Sequence, residues 1–319
     1  MVSDFAFRNP LIRCPANQPP AEAKPDLSFT CQDQPPDGMD WLTLPPVYRS
    51  PYHTVDGESI TTLHRLEDCD ILHFTRVADF YLWPERIVCH LLDPAYAYMV
   101  EIHFLGTVLS FFLERRGIPM LHASATVVEK RAVAFLSTHQ GGKSALAAGL
   151  VQAGYLLLTD DILPVEPVNG HFLGHPGYPA MRMWPDEAQH FLGRHEDLEK
   201  VHPRLEKRRV PIETQRFCAF CAEAQPLACI YVPQRRDPAE WGEAVYIEPL
   251  RPMSAVMALM HDSFIPHITE ALGWQRARLP IFADLVRQIA VRRLLYPSGF
   301  HYLPRVREAI LADLSAIGS

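Results

Sequence analysis

The stretch that most constrains how this chain can fold runs from Val133 to Leu150. A short apolar strand, Val133–Leu136, enters a tight turn ending in Gly141-Gly142-Lys143-Ser144, and a helix-forming run begins at Ala145. Strand, turn, Gly-Lys-Ser and helix, in that order, is the layout of a phosphate-binding loop. Backbone N–H groups of the turn and of the helix N-terminus converge on anionic oxygens. Adjacent glycines bring the backbone close without a Cβ in the way. In this layout Lys143 neutralises β- and γ-phosphate charge and the Ser144 hydroxyl ligates Mg²⁺. Ser137 stands where the pattern asks for glycine, so the loop is degenerate. A strand–helix turn that merely reads Gly-Gly-Lys-Ser is the competing reading.

A second pattern follows one helix later. The helix Ala145–Ala153 ends at Gly154, and Tyr155–Thr159 reads as an apolar strand closed by Asp160-Asp161. Ligands in open α/β sheets gather at the carboxyl ends of strands. Two carboxylates at that end, one helix after a phosphate loop, stand where a metal-side element belongs. If the strand continues regularly they point to opposite faces and take different partners.

The flanking chain is read from proline and periodicity. Residues 1–51 carry ten prolines and no sustained apolar period. They read as an extended, partly disordered arm rather than a partner ligand, with Trp41–Leu44 as the segment that docks on the body. Residues 52–118 read as a small β-rich subdomain plus a helix. Asp70–Thr75, Val77–Leu82 and Arg86–His90 are its candidate strands, and its helix ends at Arg115-Arg116-Gly117. Residues 119–319 read as the core with a C-terminal helical part. Strands are expected at Ala228–Val232, Ala244–Pro249 and Arg292–Tyr296. Helices are expected at Pro252–His261, Pro266–Trp274, Ile281–Ala290 and Pro304–Ala316. Residues 186–210 read as polar helix and loop.

Composition excludes several classes. At 319 residues the chain suggests about two domains. A net charge of −7 gives no global electrostatic case for nucleic acid. No run of about 18 uninterrupted apolar residues predicts a membrane span, and the first residues lack a signal-peptide pattern. Seven scattered cysteines, an odd number, favour a reducing cytoplasm over a disulfide framework.

Taken together, Leu121-His122-Ala123-Ser124, the Gly-Gly-Lys-Ser loop, Leu-Leu-Thr-Asp160-Asp161 and Met181-Arg182-Met183-Trp184-Pro185 resemble the HPr kinase/phosphorylase-related P-loop family. The resemblance is strong from about Gly106 to Pro185, weaker beyond, and absent over the arm. It implies an α/β fold with a P-loop core of the type shared with phosphoenolpyruvate carboxykinases. A small N-terminal β-rich subdomain and C-terminal helices would flank that core. The separate N-terminal domain of HPr kinases proper has no match here. The chain is more similar to stand-alone relatives, some of which phosphorylate a serine near the C-terminus of a lasso-peptide precursor.

The roles implied are those of an ATP- and Mg²⁺-dependent serine kinase. Gly141, Gly142, Lys143 and Ser144 match the phosphate loop. Asp160 matches the acid that takes the serine proton. Asp161 matches its neighbour, which with Ser144 holds Mg²⁺, and His122 matches a histidine close to the transferring phosphate. The loop filling His139-Gln140 departs from the family, and no segment matches the phosphorylase reaction. The implied partner is a peptide or small-protein substrate, with no nucleic acid, no membrane and homo-oligomerisation left open. A non-catalytic nucleotide-binding module and a small-metabolite kinase are the rival readings.

Other motifs carry less. Arg182 reads equally as a second phosphate neutraliser, by its shape, and as a surface strand residue. Lys207-Arg208-Arg209 reads as a solvated basic face, with docking of an acidic peptide or a phosphate as the sharper alternative. Cys218-Ala-Phe-Cys221 has the spacing of half a metal knuckle, but no second pair completes it, and buried thiols are expected.

Overall fold

The structure, a computed structural model, describes residues 27–37, 41–137, 141–212 and 219–317. One compact unit takes the described chain up to Arg116 together with Ile265–Gln275. The other takes Gly117–Phe264 and the chain from Arg276 onward.

The first unit is built on β1 (Ser28–Gln32), β2 (Tyr48–Arg49), β3 (Thr61–Arg65), β4 (Asp70–Phe74), β5 (Ala78–Leu82) and β6 (Arg86–Leu91). They form one sheet in the order β1-β6-β5-β4-β3-β2. The three strands predicted between residues 70 and 90 are present. The arm is a correction: β1 lies inside it and pairs in parallel with β6, Phe29 opposite Ile87 and Cys31 opposite Cys89. Prolines on either side hide this strand, because the alternating Ser-Phe-Thr-Cys-Gln is only five residues long. Residues 1–26 of the arm lie outside the described residues.

Trp41 docks as expected. Its side chain is 5% exposed, its Nε1–H donates to Tyr81 Oη at 3.1 Å, and the rings of His64 and His73 flank it at 4.7 and 5.3 Å. Helices α1 (Ala97–His103) and α2 (Leu109–Glu114) continue through a π-helical segment, Phe104–Val108. The stretch Pro94–Glu114 is long and apolar enough to cross a membrane by length and composition, and 50% of its most apolar part is buried. The sequence expectation counted only uninterrupted apolar runs and so passed over this stretch. Here its side chains fill the unit: Phe104 stacks on Phe29 at 3.9 Å and Phe111 on Trp274 at 5.4 Å.

The second unit holds β7 (Met120–Leu121), β8 (Ala123–Val128), β9 (Arg131–Leu136), α3 (Lys143–Gln152), β10 (Leu156–Thr159), β11 (Leu163–Val168), β12 (His171–Gly174) and β13 (Ala180–Met183). It continues with α4 (Pro185–Leu192), β14 (Arg208–Pro211), β15 (Gln225–Arg236), α5 (Pro238–Trp241), β16 (Tyr246–Pro249) and α6 (Pro252–His261). The chain passes through α7 (Pro266–Ala271) in the first unit, then returns as α8 (Gln275–Gln288), β17 (Ala290–Pro297) and α9 (Leu303–Ile317). The sequence began α8 at Ile281 because Pro280 reads as a break. The helix instead runs through Pro280 in its second turn.

The centre is a mixed α/β sheet in which β9, β15 and β17 run parallel. β9 is buried on both faces and alternates between two cores. Val133 and Phe135 face α3, α4 and α9 through Leu146, Leu150, Phe191, Val306 and Ile310. Ala132, Ala134 and Leu136 face α6 and α8 through Leu259, Phe282 and Leu285. This near-continuous apolar reading is what a strand covered by helices on both sides requires. β13 and β14 form a separate two-stranded ribbon; β14 begins inside the 186–210 segment where the sequence expected helix and loop. The free thiols Cys69, Cys89, Cys221 and Cys229 are buried, and burial pushes the Cys229 thiol up to about 12. Cys218, the partner of Cys221 in the Cys-x-x-Cys spacing, lies outside the described residues.

Replacing Trp41 with alanine removes a buried indole and leaves Tyr81 without its donor. Loss of about 3–5 kcal/mol is expected for such a truncation. Urea unfolding of the Trp41→Ala variant measures it, and a loss below about 1 kcal/mol would show that the indole is not part of the unit's core.

Candidate functional site

The site forms where β9 and β10 end and β8 and α3 begin. Of the turn, Thr138, His139 and Gln140 lie outside the described residues, so His139-Gln140 is not located. Gly142 has φ +86°, and a Cβ there would overlap the Tyr296 hydroxyl. Only glycine accommodates both conditions cheaply. It is the N-cap of α3 and, as glycine, makes no side-chain cap bond to that helix, whose first N–H groups carry the positive end of its dipole.

Lys143 opens the helix and is 5% exposed. Burial pulls its ammonium pKa down, while Asp161 and Asp160 act in the opposite direction. Its Nζ lies 3.8 Å from Asp161 Oδ1. The next residue, Ser144, donates its hydroxyl proton to Asp160 Oδ1 at 2.8 Å. The loop lysine, the loop serine and the twin acids therefore share one location, as their spacing predicted.

The acids reach it differently from the sequence expectation. β10 ends at Thr159, so neither acid belongs to a regular strand. Asp161 takes φ +82°, left-handed for a residue with a Cβ. Such backbone is costly and persists where the surroundings over-determine it. The bend turns both carboxylates inward instead of to opposite faces. Asp160 accepts from Ser124 Oγ at 2.6 Å, from Ser144 Oγ, and through its other oxygen from the Arg182 backbone N–H at 2.8 Å. Asp161 is ringed by nitrogen: His122 Nε2 at 3.0 Å, Arg182 Nη1 at 2.9 Å and Lys143. Burial raises the Asp161 carboxyl, but the His122 hydrogen bond and the Arg182, His122 and Lys143 charges outweigh it. The net effect holds the group well below the usual carboxylate range.

His122 sits between β7 and β8, where the chain changes partners from β11 to β9. Its own N–H donates to Asp262 O at 2.8 Å, and Phe264 packs edge-on against its ring. Arg182 is resolved from an even choice to a member of the cluster, bonded to both acids. Sequence reasoning paired Ser144 with Asp161; the structure pairs it with Asp160.

Three participants were missed. Ser124, quoted only as part of a motif, fixes Asp160. Arg235 and Tyr296, paired across β15 and β17, line a cleft of about 190 Å³ with Gly142, Ala145, Ser298 and Phe300. Burial raises the Tyr296 phenol. The signal existed: these residues end parallel strands beside β9, where ligands gather.

Among the described residues no cluster of three or more His, Cys, Asp or Glu side chains is arranged to hold a metal ion. Ser144 directs its proton to Asp160, leaving hydroxyl lone pairs beside a hard carboxylate. That fits a hard divalent cation completed by phosphate oxygens and water. The oxygens of Asp161 already face three nitrogen groups and fit a cation less well.

The likeness of this chain to known proteins is remote. No family model and no curated protein matches the sequence. The chain is similar to a solved structure, the Hpr(Ser) kinase/phosphatase from Coxiella burnetii. The identity is 14% and the TM-score 0.32, over 62% of this chain and 97% of that one. The geometry above carries the functional reading.

Asp161 gives a pH prediction. Its folded value lies below its unfolded value near 3.8, so its stabilisation is present above that pH and is lost as pH falls through the folded value. The stability gap between wild type and Asp161→Asn should narrow as pH falls below about 4. A gap that stays unchanged down to pH 3 would mean that Asp161 is not held ionised by its neighbours.

Proposed function

We propose that this chain is an ATP- and Mg²⁺-dependent kinase that transfers phosphate to a hydroxyl, with a serine of a peptide or small protein as acceptor. The observation that supports it is the convergence at the start of α3. A buried lysine, a serine bonded to one acid, and a second acid held ionised by Arg182 and His122 meet there. Phosphoryl transfer needs charge neutralisation, metal positioning and an oriented nucleophile, and little covalent help.

The roles follow from the contacts. Lys143 neutralises the transferring phosphate; its ion pair with Asp161 is long, so little is lost when it turns to an anion. Ser144 and Asp160 would hold Mg²⁺, which supplies charge neutralisation on the phosphate oxygens when bound. Ser124 and the Arg182 backbone fix Asp160 for that purpose. Asp161 orients the acceptor hydroxyl and takes its proton as the new oxygen–phosphorus bond forms and the bond to the departing diphosphate breaks. An ionised carboxylate suffices if the proton moves late, since transfer is largely dissociative. Arg182 and His122 hold it in place. This exchanges the roles that the family resemblance implied for Asp160 and Asp161, because Ser144 touches Asp160. The cleft beyond Gly142 is the volume open to the rest of the nucleotide.

The test separates the two acids. Radiolabelled ATP and a serine peptide library are followed for phosphate transfer across a Mg²⁺ titration. Asp160→Asn should raise the Mg²⁺ requirement by about tenfold or more. Asp161→Asn should lower kcat by about 10²–10⁴-fold, the usual contribution of a positioned base, with the Mg²⁺ requirement unchanged. The reverse pattern would restore the roles implied by the resemblance. ATP binding by wild type with no transfer to any hydroxyl would refute the kinase reading.

Lys143→Met provides an independent check. It removes the buried cation at similar volume, so the fold should survive while affinity for ATP falls by about tenfold or more. Unchanged ATP affinity, measured calorimetrically, would take the lysine out of the phosphate site.

A further inference from the structure

The ribbon β13–β14 has two unlike faces. Met181, Met183 and Val210 point into the core that holds α3 and α4. Arg182 and Arg209 are register partners and occupy the other face, both only partly buried. Arg182 reaches Asp161 from this face, so the face adjoins the acids directly. Two more cation–aromatic pairs extend it. Arg209 Cζ lies 6.0 Å from the ring centre of Tyr178, and Lys207 Nζ lies 5.5 Å from that of Trp184. Of the nearby carboxylates, Glu187 accepts the Trp184 backbone N–H at 2.8 Å and also feels the Lys207 charge, and Glu206 bridges Lys200 and Arg208. Lys207 also acts electrostatically on Lys143.

We infer that this face docks the acceptor, and that the acceptor is an extended segment carrying aspartate or glutamate beside its hydroxyl. The inference rests on the kinase reading for the word acceptor; the docking chemistry does not. Four residues of strand span about 13 Å, enough for a peptide of about four residues laid along the ribbon. Cations on aromatic rings, in a chain of net charge −7, form a local field opposite to that of the whole molecule. Such a field steers and registers an acidic partner. Arg182 lies at the junction, bonded to Asp161, so a carboxylate docked on Arg209 and Lys207 would bring its neighbouring hydroxyl to that acid.

Two fluorescein-labelled twelve-residue serine peptides test it, one flanked by glutamates and one by lysines. Each is titrated with the full chain by fluorescence anisotropy, with Mg²⁺ and a non-hydrolysable ATP analogue present. The glutamate peptide should bind at least about tenfold tighter. The double variant Lys207→Glu, Arg209→Glu should abolish or invert that preference while affinity for the analogue falls by much less. The milder Lys207→Gln, Arg209→Gln pair should shift it in the same direction by less, which guards against a folding defect in the first. Equal binding of both peptides by wild type, or a preference indifferent to the substitutions, would overturn the inference. So would a loss of analogue affinity in place of peptide affinity, which would assign the ribbon to the nucleotide. Acidic preference without any phosphate transfer from ATP would uphold the docking face and overturn the kinase reading instead.

Discussion

The contact on which the site depends is the inward turn of Asp160 and Asp161 at the end of β10. It places two carboxylates against Lys143, Arg182 and His122 in a largely buried space. Networks of this kind contribute little net stability, because desolvation offsets the attraction, yet removing one member leaves an uncompensated charge and costs about 3–5 kcal/mol. A fold gains nothing structural here that an apolar plug would not supply. The left-handed backbone of Asp161 points the same way, since strained residues persist where the surroundings hold them for a purpose. Cost without structural return is the physical sign of a working site.

The rest of the second unit holds that turn in place. β9, β15 and β17 run parallel, so their carboxyl ends open on one edge, beside the start of α3. Because β9 is covered on both faces, its carboxyl end cannot shift without disturbing two cores at once. Tyr296 adds a second restraint, as its hydroxyl occupies the space a Cβ on Gly142 would need. Ser124, one strand away, adds a hydrogen bond to Asp160. Each restraint comes from a different element, which is how one location stays defined to within a hydrogen bond.

Much of this was legible in the sequence where a local rule governs. The apolar run before the glycines, the Gly-Lys-Ser turn and the helix after it follow from periodicity and glycine placement, and so do the strands at 70–91. What was hidden depends on tertiary partners. β1 is short, flanked by prolines, and is a strand only because β6 offers an edge. α8 passes Pro280 because Phe282 and Leu285 are buried in the core, and packing overrides a local break. β14 begins with two arginines, a poor strand signal, and forms by pairing with β13. The exchange of partners between Asp160 and Asp161 had no sequence signal at all. It follows from one positive φ at Asp161, a conformation aspartate visits more readily than most residues but that no neighbouring residue announces.

The ribbon extends the same logic to the substrate side. Its inner face is apolar and fixed, while its outer face keeps arginines and lysine over aromatic rings, where they are held in position yet able to meet an anion. Arg182 belongs to both regions: its backbone fixes Asp160, its guanidinium fixes Asp161, and its register partner is Arg209. Docking an acidic segment on Arg209 and Lys207 would therefore be felt at the acids through one residue. A metabolite that only fills a closed pocket would have no use for charges displayed along a strand, and this favours an extended acceptor over a small one.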